Sequence, residues 1–130
     1  MAEAIRSAVG DRPDRAAVRL QLPRGLPPVA VDGTQLRLAL TELVDHALRR
    51  CPAGTRVTIS AAPEAAAGGR PAGVGIRVAD RGGRLLGEAR RGSLPQAPAL
   101  RGLLAGPDAR FAVQDTPGGG ATCVLTLPAV

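Results

Sequence analysis

The stretch from Asp32 to Arg50, DGTQLRLALTELVDHALRR, constrains this chain more than any other. Leu36, Leu40, Leu43, Val44, Ala47 and Leu48 recur at helical spacing, which sets one apolar stripe against a core and leaves Glu42, Asp45, His46 and Arg49 on other faces. The start of this amphipathic helix is marked by Asp32, whose carboxylate can cap free backbone donors, with Gln35 three residues on as in a capping box. Its stop is Cys51-Pro52, because proline disfavours a helical residue before it and has no N–H to give. Glu42 and His46 stand four apart, one turn from each other, so they can address a single ligand. The alternative is a solvated face in which Asp45 pairs with Arg49.

A chain of 130 residues is long enough for one domain with a real core and too short for two ordinary ones. At 45% hydrophobic residues it is not globally disordered, but Phe111 is its only aromatic, so the core must be built from Ala, Val, Leu and Ile. The formal charge is +6, and all 17 basic residues are arginine. The planar guanidinium suits phosphate and carboxylate, yet the arginines are scattered and no aromatic platform accompanies them. A nucleic-acid partner is therefore not expected, and coding bias accounts for the composition equally well. Cys51 and Cys123 lack metal-ligand spacing and follow no secretory segment, which predicts reduced thiols in a cytoplasmic protein. No apolar run is long enough for a membrane span.

In chain order, Ala2 to Val9 reads as a short helix ending at Gly10, before the polar Asp11 to Asp14. Ala17 to Leu22 alternates with period two, as does Arg56 to Ser60, where Val57 and Ile59 point inward. Pro63 to Pro71, rich in alanine and glycine, reads as a loop leading to a strand over Val74 to Ala79, antiparallel to the previous one. Asp80-Arg81-Gly82-Gly83-Arg84 follows that strand. Residues 85–98 lose all pattern and read as a mobile, lid-like loop; Ala99 to Ala105 then reads as a short helix stopped by Gly106-Pro107. Phe111 to Gln114 and Ala121 to Leu127 are two strands joined across Asp115 to Gly120, a hairpin signal. This order predicts one α+β domain over residues 1–130, a two-layer sandwich of a mixed, mostly antiparallel sheet with helices on one face.

Taken together, these segments resemble the ATP-binding domain of sensor histidine kinases, part of the GHKL superfamily with its Bergerat-type nucleotide fold. The resemblance covers nearly the whole chain. It includes the strand near Val18, the Val31-Asp32 lead-in and the central helix in the place of the N box. Val74 to Gly82 stand in the place of the next, adenine-binding box, and the closing PGGGATCVLTLP, Pro117 to Pro128, completes the order. It implies that His46 stands where the family places the asparagine that holds magnesium on ATP, and that Glu42, one turn earlier, is the candidate general base. It further implies that Asp80 receives the adenine amino group and that Gly82 lets the base come close. Arg84 replaces the box's second glycine, where it either crowds the adenine pocket or swings outward to reach phosphate, and Arg49 is a further candidate nucleotide contact. The resemblance sets Asp80 and His46 at opposite ends of one hollow between sheet and helices.

The departures from the family pattern carry consequences of their own. Magnesium prefers oxygen ligands in a tight octahedron, so an imidazole at position 46 replaces an amide oxygen poorly. Where a glycine-rich box should cradle phosphate stand Ser93 to Leu100, and Pro95 and Pro98 remove backbone donors. Asp80 also fits a simple turn former at a strand end. The expected function is a degenerate module with weak or absent binding of ATP and Mg2+, a pseudokinase or regulatory domain that works through a protein partner or cognate signalling domain. The alternative is a competent catalytic domain needing a phosphoacceptor from elsewhere. A transition-metal site at Glu42, Asp45 and His46, and a chaperone-like or anti-sigma-type interaction role, are further options on the same scaffold.

Overall fold

Asp32 begins the central helix as its residue type predicts. Its Oδ2 accepts from the Gln35 N–H at 2.9 Å, and its carbonyl accepts the first helical bond, from the Leu36 N–H, at 2.9 Å. The computed structural model describes residues 2–10, 17–50, 56–69, 71–80, 97–106, 108–115 and 120–130. Among these the elements are α1 (Ala2–Gly10), β1 (Val18–Gln21), α2 (Gly33–Arg50), β2 (Val57–Glu64), β3 (Gly73–Ala79), α3 (Pro98–Leu104), β4 (Arg110–Asp115) and β5 (Ala121–Pro128). The proposed stop at Cys51-Pro52, the polar Asp11 to Asp14, the tip of the last hairpin and nearly all of the lid-like loop fall outside the described residues.

The strands form one sheet in the order β1-β2-β3-β5-β4. β1 runs parallel to β2, and every other neighbour is antiparallel. Alternation sorts its faces. Val57, Ile59 and Ala61 of β2, Val74, Ile76 and Val78 of β3, and Cys123, Leu125 and Leu127 of β5 join one buried cluster with Leu36, Ala39, Leu40, Leu43, Val44 and Ala47 of α2. α2 lies on β2 and β3, and α1 and α3 both pack against α2. The result is an α+β sandwich of a mixed sheet and a helical layer. Its core is aliphatic, as the composition requires, and Phe111 sits only half-buried at its margin.

The segment that leads into α2 is tied to the sheet's last strand. The Ala30 N–H donates to the Pro128 carbonyl at 2.8 Å and the Val130 N–H to the Pro28 carbonyl at 3.0 Å, around a bridge between Val29 and Ala129. These bonds fix where α2 starts relative to β5. At the same end, a Cβ on Gly73 would collide with the Leu127 carbonyl, so only glycine allows β3 and β5 to approach as they do.

One expectation is corrected. The second strand does not stop at Ser60 with Pro63 in a loop; β2 continues to Glu64 and pairs Pro63 with Val74 and Glu64 with Gly73. The reason is the shortness of β1, which accompanies β2 only as far as Ser60. Beyond that point β2 has an open side, and a proline is tolerated there because its missing N–H falls where no partner strand runs. Among the described residues no helix is long and apolar enough to cross a membrane.

Two stability measurements follow. Leu40→Ala, at a fully buried position facing the sheet, is expected to lower the unfolding free energy by about 2–5 kcal/mol in urea titrations. Asp32→Ala removes the α2 cap and is expected to cost about 1 kcal/mol by the same measure.

Candidate functional site

The polar residues of α2 meet α3, and the reason lies in how α3 begins. Its cap position is Ala97, which makes no side-chain hydrogen bond, and the helix opens with Pro98, which has no N–H. The Arg101 N–H already donates to the Ala97 carbonyl at 3.0 Å, so the donors of Ala99 and Leu100 are left without an intrahelical acceptor. Glu42 supplies the acceptors. Its Oε2 accepts from the Ala99 N–H at 3.1 Å and its Oε1 from the Leu100 N–H at 2.9 Å. A carboxylate from the middle of α2 therefore caps a helix far away in the chain. Leu100 and Leu103 bury the adjoining face, and Gly102 lies so close to the Gln35 side chain that any Cβ there would strike its amide. The candidate base Glu42 is thus first of all the clamp that holds α3 on α2.

Asp80 follows β3 at the position after Ala79. Alternation from Val74 through Ile76 and Val78 puts it on the helix-facing side of the sheet, where it is only 2% exposed. A carboxylate there needs hydrogen-bond partners. Ala121 supplies one: its N–H donates to Asp80 Oδ1 at 3.1 Å, while its carbonyl accepts from the Asp80 N–H at 2.8 Å. These two bonds carry the β3–β5 ladder one residue past the end of β3. They hold Asp80 in one orientation facing the helical layer.

His46 is half-buried on α2, one turn after Glu42, and Arg49 is exposed near the end of the same helix. Gly82 and Arg84 lie outside the described residues. Among the described residues no group of three or more His, Cys, Asp or Glu side chains comes together around a metal position, so Glu42, Asp45 and His46 do not form one.

Two features escaped the sequence reading. The first is the contact of Glu42 with α3, whose one sequence signal is a helix start, Ala97-Pro98, with no Ser, Thr, Asp or Asn to cap it. The second is a groove of about 600 Å³ between α2 and α3, lined by Asp32, Thr34, Gln35, Leu38, Glu42, Pro98 and Ala99. Leu38, 47% exposed, forms its apolar side. Its signal was a leucine off the stripe that Leu36 and Leu40 define.

This mixed five-stranded sheet under a helical layer is the fold of histidine kinase ATP-binding domains. The mycobacterial sensor histidine kinase MprB superposes with a TM-score of 0.73 at 18% identity, over 99% of this chain and 94% of that one. The ATP-binding domain of PrrB from Mycobacterium tuberculosis gives a TM-score of 0.63 at 24% identity, over 98% and 90% of the two chains. Full-length ShkA, in complex with AMPPNP, gives 0.71 at 20% identity; the match takes in 98% of this chain and 30% of that one. No family model matches the sequence, and no curated protein matches it.

Glu42→Ala is expected to uncap α3 at a cost of about 1–2 kcal/mol. Hydrogen exchange should then quicken at Ala99 and Leu100 and leave β3 and β5 protected. Glu42→Gln, which keeps one acceptor oxygen, should have the smaller effect.

Proposed function

We propose that this chain is a degenerate ATP-binding domain of the sensor histidine kinase type, with weak or lost nucleotide binding, that acts as a pseudokinase or regulatory module through protein contacts in signal transduction. The observation that carries this reading is the position of Glu42. In the family pattern, the segment ending at Leu100 should offer backbone donors to phosphate. Here the donors of Ala99 and Leu100 go to a carboxylate of the same chain. A fixed negative charge at that end repels phosphate, and Pro98 removes a further donor.

The available donors do not fit magnesium either. The position of the family's asparagine carries an imidazole, and Glu42, one turn earlier on α2, already holds α3. We place the protein in the cytoplasm, with a protein partner or cognate signalling domain and no nucleic acid.

A second reading is supported by Asp80. A carboxylate held rigidly on the helix-facing side of the sheet is what recognition of an adenine amino group requires. On this reading the chain is a competent catalytic domain. Asp80 and Gly82 receive the base, Arg84 and Arg49 meet phosphate, Glu42 serves as base, and the phosphoacceptor comes from a separate domain.

Calorimetric titration with Mg-ATP separates the two. The degenerate reading expects a dissociation constant on the order of 1 mM or weaker, and tight, magnesium-dependent binding in the micromolar range would refute it. His46→Asn restores an amide oxygen at the metal position. A gain in Mg-ATP affinity places the defect at α2, whereas no change places it at the phosphate end.

A further inference from the structure

The sheet ends in two edges that are built differently. β1 is four residues long and closely followed by Pro23, so it offers little backbone to a further strand. β4 is longer, six residues, and pairs with β5 in unbroken register from Arg110↔Thr126 to Asp115↔Ala121. No described strand lies on its other side. It has no proline and no bulge, and its charged residues, Arg110 and Asp115, stand only at its two ends. α2 covers β2 and β3, and on the same side of the sheet the apolar Phe111 and Val113 of β4 remain half-exposed. Ala112 between them points to the opposite face and is exposed.

We propose that β4 is a self-association edge: two copies of this chain pair antiparallel along β4, about a two-fold axis at Ala112, and join their sheets into one. The occupant is a second copy because the strand is its own complement. A two-fold axis normal to the sheet keeps each face, so residues opposed across it must share a face. Centred on Ala112, the pairing sets Phe111 against the partner's Val113 and Arg110 against the partner's Gln114. It also sets Ala112 against the partner's Ala112. An aromatic against a β-branched residue is a favourable cross-strand pair, and it occurs twice by symmetry. On the other face Arg110 can donate to the partner's Gln114 oxygen, which also accepts from Arg77 Nη1 of its own chain at 3.4 Å, and two alanines leave room at the axis. Centring on Val113 instead opposes Ala112 to Gln114 and gives Phe111 no apolar partner. Edges this short bury less than the roughly 1,200 Å² of stable interfaces, so the association is weak and reversible. It does not depend on whether nucleotide binds.

Sedimentation of the chain from about 10 µM to about 1 mM is expected to show a monomer–dimer equilibrium. Ala112→Glu and Ala112→Lys each place like charges face to face across the axis, and each is expected to weaken the dimer at least about tenfold. Because Ala112 is exposed, both variants should keep the wild-type circular dichroism. An equimolar mixture of the two should recover a dimer with one copy of each. In the wild type, amide protection in β4 should rise with concentration, which tests the edge without any substitution. A wild type that stays monomeric over this range overturns the proposal. So does a dimer indifferent to both substitutions, which would be using another surface, or a mixture that fails to restore pairing.

Discussion

Leu36, Leu40, Leu43, Val44 and Ala47 leave water together when α2 settles on β2 and β3, and the other elements are positioned by that contact. Each larger side chain contributes about 1.5–3 kcal/mol of burial, set against the entropy of ordering the chain. Nothing aromatic helps, so the packing depends on many small aliphatic contacts and on close approach. Ala39 and Ala47 let α2 lie near the sheet, and Gly73 lets β3 and β5 run together at the Leu127 carbonyl. α1 and α3 pack against α2, and Ile5 and Leu100 join the same buried cluster as the strands.

On this frame two carboxylates do similar physical work in different settings. Asp80 and Glu42 each accept backbone N–H groups from an element remote in sequence: Ala121 in the first case, Ala99 and Leu100 in the second. Such charge-assisted bonds are stronger than neutral ones and remove donors that would otherwise be stranded. Asp80 stays buried on the helix-facing side of the sheet, whereas Glu42 reaches across to the start of α3. The frame is that of histidine kinase ATP-binding domains, and within it both carboxylates make internal contacts between segments remote in sequence.

The sheet shows the same economy at its margins. Its aliphatic rows run out before β4, where Phe111 and Val113 meet only part of the core. An alternating strand with no described neighbour on its outer side most readily accepts another strand.

What the sequence determined by itself was local. The stripe of α2, its Asp32 cap and the alternation in β2, β3 and β5 all follow from spacings of two, three and four residues, which is the reach of periodicity and capping. Alternation continued past Ala79 even assigns Asp80 its side of the sheet. Only the tertiary structure decided the rest. The length of β2 depended on where β1 stops, which no feature of Pro63 announces. Glu42 met its partners across separations of 57 and 58 residues, and no pattern within one helix can specify a contact at that distance. β5 entered the sheet between β3 and β4 because its helix-facing row completes the core, a matter of three-dimensional packing. Short-range rules could state which groups α2 carries, but what those groups touch was settled when distant segments came together.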